Sequence, residues 1–326
     1  MIQILKRAVL IAVATLTTGM LYSAPAAAQA TRTWISGVGD DANPCSRTAP
    51  CKTFQGALPK TAAGGEINCL DPGGFGAVTI TKSISIICDN TESGILVAAT
   101  NAIVINGAGA VVQINGLDFE GLGQTGSSAN SAIWFVNGAS LTVRNSKMRG
   151  FRNSYAINFT PSANATLTVD NVAISESGIA SNVLSGGVAV APLVGASVQA
   201  TLTNVQIVNG LNAGLRIDTQ AGAGTAAAVT VKDTLISNTG SGITLRSVTG
   251  APATLTLTDS VVAGNVATGI LAKGAASVAR VGTTTITGNL DALSIASGAS
   301  IFTYGDNRLD GNTNNTAFTL PVIPTH

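Results

Sequence analysis

Apolar and polar residues alternate in short runs along most of the chain, and the runs recur. Gly242-Ile-Thr-Leu is followed by a turn, then Ala253-Thr-Leu-Thr-Leu-Thr-Asp259, then another turn, and the pattern restarts at Gly269-Ile270. The same order appears upstream in Gly214-Leu-Arg-Ile217 before Val229-Thr-Val-Lys-Asp233. It appears again in Ala156-Ile-Asn-Phe159 before Leu167-Thr-Val-Asp-Asn171, and in Ala132-Ile-Trp-Phe135 before Leu141-Thr-Val-Arg-Asn145. The polar residues that close the second run are Asn145, Asn171, Asn204, Asp233, Asp259, Thr283 and Asp306, at steps of 26, 33, 29, 26, 24 and 23 residues.

Period-two alternation makes a strand with one buried and one solvated face. A repeat of this length built from strands is the mark of a solenoid, because one coil cannot bury its own apolar face whereas stacked coils bury each other's. The pattern predicts an all-β parallel β-helix of roughly nine to ten coils. Strands are expected near residues 132–136, 141–145, 156–159, 166–171, 187–190, 200–204, 214–217, 228–233, 242–245, 254–259 and 269–272. One stretch has helical spacing: Phe54, Ala57, Leu58 and Ala62, with Thr53 as N-cap and Pro59 shortening it. This short capping helix would plug the first coil, beside Trp34 and Ile35 on a leading strand.

Composition fits this picture. Charged residues make up 10% of the 326, aromatic residues 4%, and there are 37 glycines. Such a chain is too apolar for disorder. Its net charge of +1, with no basic run, gives no electrostatic case for nucleic acid. Lys6-Arg7, an apolar segment over 8–21 and Ala28-Gln29-Ala30 read as a secretory leader over 1–30, with export to the periplasm or beyond and no membrane span once it is removed. The expected organisation is leader 1–30, N-terminal cap 31–65, β-helix 66–312 and C-terminal tail 313–326. Cys45, Cys51, Cys69 and Cys88 form an even set in an exported chain, which reads as two disulfides. Three pairings are open. A local Cys45–Cys51 staple and a Cys69–Cys88 link one coil apart are favoured over zinc, since CxxC spacing is lacking and His326 is the sole histidine.

The segments Thr33-Trp-Ile-Ser-Gly-Val-Gly-Asp-Asp-Ala-Asn-Pro-Cys45, Pro50-Cys-Lys-Thr-Phe54 and Gly65-Glu-Ile-Asn-Cys69-Leu-Asp-Pro-Gly-Gly-Phe-Gly76 resemble the opening of bacterial secreted proteins of the pectin-lyase-like superfamily. The resemblance covers residues 33–86 most specifically. It implies a right-handed helix of three sheets and no particular reaction. A Gly-His-Gly motif of the polygalacturonase kind is absent, and no matching carboxylate set of the lyase or esterase kind stands out.

Three features carry candidate chemistry. The Asn/Asp column reads as coil corners in left-handed conformation, with side chains bonded along the axis. Asp118 below Lys147 and Glu120 below Arg149, with Arg144, Arg152 and Glu176 nearby, read as a solvated ladder of ion pairs worth about 0–1 kcal/mol each; otherwise they form a binding or lyase-like patch. Trp134 points outward in a row expected to run through Leu96, Asn158, Ala189, Arg216 and Thr244. With Asn158 and Arg216 it reads as a sugar-stacking platform, or else it lies under a loop at 121–130 or 151–155. No metal or cofactor is expected; calcium would enter only with a lyase. The leading expectation is a secreted, non-catalytic surface or carbohydrate-binding scaffold whose partner is a polysaccharide or cell-surface glycan. The rivals are a lyase or hydrolase acting on an acidic polysaccharide and, more distantly, a trimeric fibre.

Overall fold

In the computed structural model, residues 29–89, 91–123 and 130–324 are described. The chain is a parallel β-solenoid. A nine-stranded parallel sheet takes one strand from each of nine coils, from Val78–Ile80 to Asp291–Ala296. A second, eighteen-stranded assembly wraps the remaining sides. Residues 1–28, most of the expected leader, lie outside the described residues.

The expected strands form with their ends shifted by a few residues. Ile133–Asn137, Tyr155–Phe159, Gly186–Val190, Ala213–Asp218, Ser241–Arg246 and Thr268–Lys273 stack in the nine-stranded sheet. Leu141, Leu167, Ala200, Val229, Leu255, Ala279 and Ile301 stack in one inward column, like above like. All seven are buried. The Phe135 and Phe159 rings stack in the core at 4.4 Å between centroids.

The second expected run of each coil continues further than the alternation suggested. Ser140–Arg149, Ala165–Ser175 and Ser197–Val208 each turn at the polar residue and go on for a third stretch. Asn145, Asn171, Asn204, Asp233, Asp259 and Thr283 have φ between 45° and 54°. Left-handed backbone suits Asn and Asp, whose short polar side chains tolerate it. Those side chains also bond up the axis: Asn145 Nδ2 donates to Asn115 Oδ1 (2.9 Å), and Asn171 Nδ2 to Asn145 Oδ1 (2.7 Å). Asn204 Nδ2 in turn donates to Asn171 Oδ1 (3.3 Å). The column is a corner ladder. Asn238 is also left-handed, and Asn265 and Asn289 are buried in a second ladder, Thr239–Asn265–Asn289–Asn312.

The N-terminal helix spans only Phe54–Ala57 and tightens into a 3-10 turn over Leu58–Lys60. Thr53 Oγ1 accepts from Gly56 N (2.9 Å) as the N-cap. Ala62 lies in the strand Thr61–Cys69, not in the helix, because Pro59 ends the helical pattern within a turn. Phe54, Ala57 and Leu58 are buried, with Phe54 edge-on to Phe75. The favoured disulfides are both formed, Cys45–Cys51 and Cys69–Cys88. Two disulfides mark a protein of an oxidising compartment. Among the described residues, no helix is long and apolar enough to cross a membrane.

Candidate functional site

The four charged candidates meet as the repeat implied. Lys147 pairs in register with Asp118, and Arg149 with Glu120. Arg149 Nη1 donates to Asp118 Oδ1, 2.6 Å away, and its Nε bonds the Glu120 carboxylate. One guanidinium is thus clamped by two carboxylates. The hydrogen bond to Asp118 raises the Arg149 pKa above its ordinary value; burial opposes this, and the charges of both carboxylates add to it. Lys147 is exposed and has no ion-pair partner among the described residues. Nearby Arg144 reaches Asp170 at 4.0 Å and Arg152 reaches Glu176 at 3.6 Å, both as largely solvated pairs.

These residues line one side of a groove of about 840 Å³ over the first coils. Its other walls come from Gly73–Gly74, Ser93–Leu96 and Leu117–Glu120, with Asp89, Glu92 and Asn145 at the corner. The sequence pointed to four of these side chains. Asp89, Glu92 and the glycines escaped notice because the early coils carry too few alternating residues to place them. Gly74 has a revealing environment: a Cβ built there meets nothing within 4 Å. The backbone does not require glycine at this position, and its bareness leaves the groove open. Among the described residues, no group of three or more His, Cys, Asp or Glu side chains gathers as a metal would need.

Trp134, Asn158 and Arg216 lie on the nine-stranded sheet, away from the groove. The row there runs Val104, Trp134, Asn158, Ala189, Arg216, Thr244. Leu96 is not in it. Leu96 pairs with Glu120 on the other sheet, since the first coils hold a third strand that the alternation did not place. Trp134 is half-buried and its Nε1 donates to Thr160 Oγ1 (3.0 Å). Of the loops considered above it, residues 124–129 lie outside the described ones. Arg216 is 8% exposed, with Nε donating to Asp218 Oδ2 (2.9 Å), so its guanidinium is not offered on an open surface. Tyr155 lies close to it, a neighbour that no repeat position indicated. Gly186, in register with Tyr155, leaves the space that the phenol ring fills.

The coiled, parallel, corner-laddered architecture agrees with the comparison of the chain with family models. Residues 101–291 match the right handed beta helix region. The chain belongs to this right-handed β-helix family. Among solved β-helix structures, the GH136 lacto-N-biosidase of Eubacterium ramulus is similar over 87% of this chain and 66% of its own length, at 10% identity and a TM-score of 0.43. The A-module of the Azotobacter vinelandii mannuronan C-5 epimerase AlgE4 is similar over 80% of this chain and 91% of that module, at 13% identity and a TM-score of 0.38. This chain spans just under two thirds of the lacto-N-biosidase. Neither likeness bears on the chemistry of this β-helix. No curated protein matches it in sequence.

Proposed function

We propose that the protein is an exported, non-catalytic scaffold that binds a glycan in the groove walled by Asp118, Glu120, Lys147 and Arg149. The clamped Arg149 carries this reading. A general base must be free to accept a proton from the substrate, and Arg149 is instead held as a protonated cation between two carboxylates. Those carboxylates are in turn occupied by Arg149. The constellation is therefore fit to present fixed polar groups to a ligand and not to move protons. The groove volume lies within the roughly 300–1,000 Å³ typical of ligand sites. Its lining holds four carboxylates, Asp89, Glu92, Asp118 and Glu120, against two cations, Lys147 and Arg149. That balance disfavours an acidic polysaccharide and suits a neutral glycan.

The same reading takes residues 1–30 as a leader removed on export, residues 31–65 as the cap of the solenoid and residues 313–326 as its tail. Both disulfides support export.

The test is binding of the mature chain to a panel of neutral and acidic glycans. Gly74→Leu should fill the groove without disturbing the fold and weaken binding at least tenfold. Lys147→Ala should weaken it by about 0.5–1.5 kcal/mol, the worth of a lost hydrogen bond. Trp134→Ala probes the other sheet and should leave this binding unchanged. Loss of binding in Trp134→Ala, with Gly74→Leu unaffected, would move the site to the nine-stranded sheet.

A further inference from the structure

The outer face of the nine-stranded sheet contains a buried group in which hydrogen-bond donors outnumber the one carboxylate among them. Arg216 and Asp218 lie two residues apart on Ala213–Asp218, and Thr244 and Arg246 stand in register with them on the next coil. The Tyr155 ring lies over Gly186, and its hydroxyl feels the charges of Arg216, Asp218 and Arg246. Tyr155 is 4% exposed and Thr244 7%. Asp218 is engaged on both oxygens: Oδ2 accepts from Arg216, and Oδ1 accepts from Gln220 N at 2.8 Å. Among the described residues, Tyr155 Oη, Thr244 Oγ1 and Arg246 Nε are buried without a well-formed hydrogen bond, although the Arg216 guanidinium lies close enough to the Tyr155 hydroxyl to act on it. All three can donate. A buried donor left unbonded is destabilising, and a bound acceptor would relieve that.

Charge identifies the acceptor. Two guanidiniums, Arg216 and Arg246, stand here beside one carboxylate, Asp218, which is paired with Arg216, and exposed Lys273 stands in register beyond Arg246. Burial pushes the Tyr155 phenol up to about 12, although Arg216 and Arg246 pull the other way, so it is a neutral donor at any ordinary pH. Planar guanidinium forks match a carboxylate in geometry.

We infer that Tyr155, Arg216, Thr244 and Arg246 form a binding site for a carboxylate group, separate from the groove on the other sheet and independent of the function proposed for it. Arg246 is only partly buried, so the way in lies beside its side chain. The excess positive charge here contrasts with the excess of carboxylates in the groove, and one molecule would then hold two unlike ligands on two faces.

The experiment uses acetate as the carboxylate and acetamide as its neutral isostere, titrated into the mature protein at pH 7 and constant ionic strength. The readout is the NMR signal of ring-labelled Tyr155, assigned by its loss in Tyr155→Phe. Acetate should shift it saturably and acetamide should not. Arg246→Gln, at a part-exposed position, should keep the fold and weaken acetate at least tenfold, with Arg246→Lys intermediate. Glucuronate and N-acetylaspartate then show whether an acidic sugar or an acidic amino acid is the better carrier. An unsaturable shift, an equal response to acetamide, or undiminished acetate binding in Arg246→Gln overturns the proposal.

Discussion

Replacing Asn171 separates a corner that holds the coil together from a corner that serves a ligand. Asn171 sits at φ 53° and bonds both neighbours in its ladder, donating to Asn145 Oδ1 at 2.7 Å and accepting from Asn204 Nδ2 at 3.3 Å. Alanine removes both bonds, each worth about 0.5–1.5 kcal/mol and near the low end at this exposed site. It also places a Cβ in left-handed backbone without the local polar compensation that Asn provides, at about 1–2 kcal/mol. Asn171→Ala should therefore cost about 2–3 kcal/mol. Glycine removes the same bonds and escapes the left-handed strain, but pays about 0.5–1 kcal/mol in chain entropy. Asn171→Gly should cost less, by about 0.5–1 kcal/mol. Urea unfolding followed by circular dichroism measures both; the midpoint should move while the slope stays fixed, since neither change alters the surface exposed on unfolding. If Asn171→Ala proves as stable as the parent, or more stable than Asn171→Gly, the corner is not a structural ladder and the argument from backbone conformation fails.

Other consequences follow from single contacts. Asp41 accepts from Lys52 N, Thr53 N and Thr53 Oγ1 at 2.8, 2.9 and 2.7 Å. Burial tends to raise its pKa, but these bonds and the Lys60 charge outweigh that and hold it below the usual carboxylate value. Its contribution to stability is then present above the unfolded-state pKa of about 3.9 and is lost as pH falls through the lower folded value; unfolding midpoints measured downward from pH 5 should show this loss, and Asp41→Asn should remove that part of it. The Cys69–Cys88 bridge closes a loop with a sequence separation of 19, so the paired Ser variant should lose about 2–4 kcal/mol in a denaturant titration. The oxidised protein should show no titratable thiol after unfolding without reductant, as neither disulfide leaves a free cysteine. Ile243 is fully buried, and Ile243→Asp should abolish soluble expression by placing an unpaired charge in a dry core.

How far the sequence could be read depended on how regular each stretch was. Leu255-Thr-Leu-Thr-Leu announces its buried face outright, and the corner residues Asn145 to Asp259 mark every coil between them. The family resemblance implied three sheets, but alternation did not place the third strand of each coil because it is short: Val261–Ala263 and Thr285–Thr287 give three residues each, too few for alternation to show. That omission put Leu96 in the wrong sheet. The register of Asp118 with Lys147 and of Glu120 with Arg149 was legible because it follows directly from the repeat, whereas the diagonal bond from Arg149 to Asp118, which leaves Lys147 without an ion pair among the described residues, was not. The groove beside them was not legible, since its openness depends on Gly74 and Gly94, which contribute by what they lack. Tyr155 was invisible for a related reason. Its ring reaches past Gly186 towards Arg216, two coils away, and only the three-dimensional stack brings an isolated Tyr, a Gly and an Arg-x-Asp together.

The most direct test of the central claim, binding without turnover, is an end-point assay of the mature chain on neutral and acidic polysaccharides, with and without calcium. New reducing ends and unsaturated uronide absorbance are followed alongside calorimetric binding. The account predicts saturable binding to at least one neutral glycan, reduced by Gly74→Leu, with no product above a protein-free control. Product that accumulates with protein concentration and disappears in Lys147→Ala or Arg149→Ala would show the groove to be an active site and contradict the account.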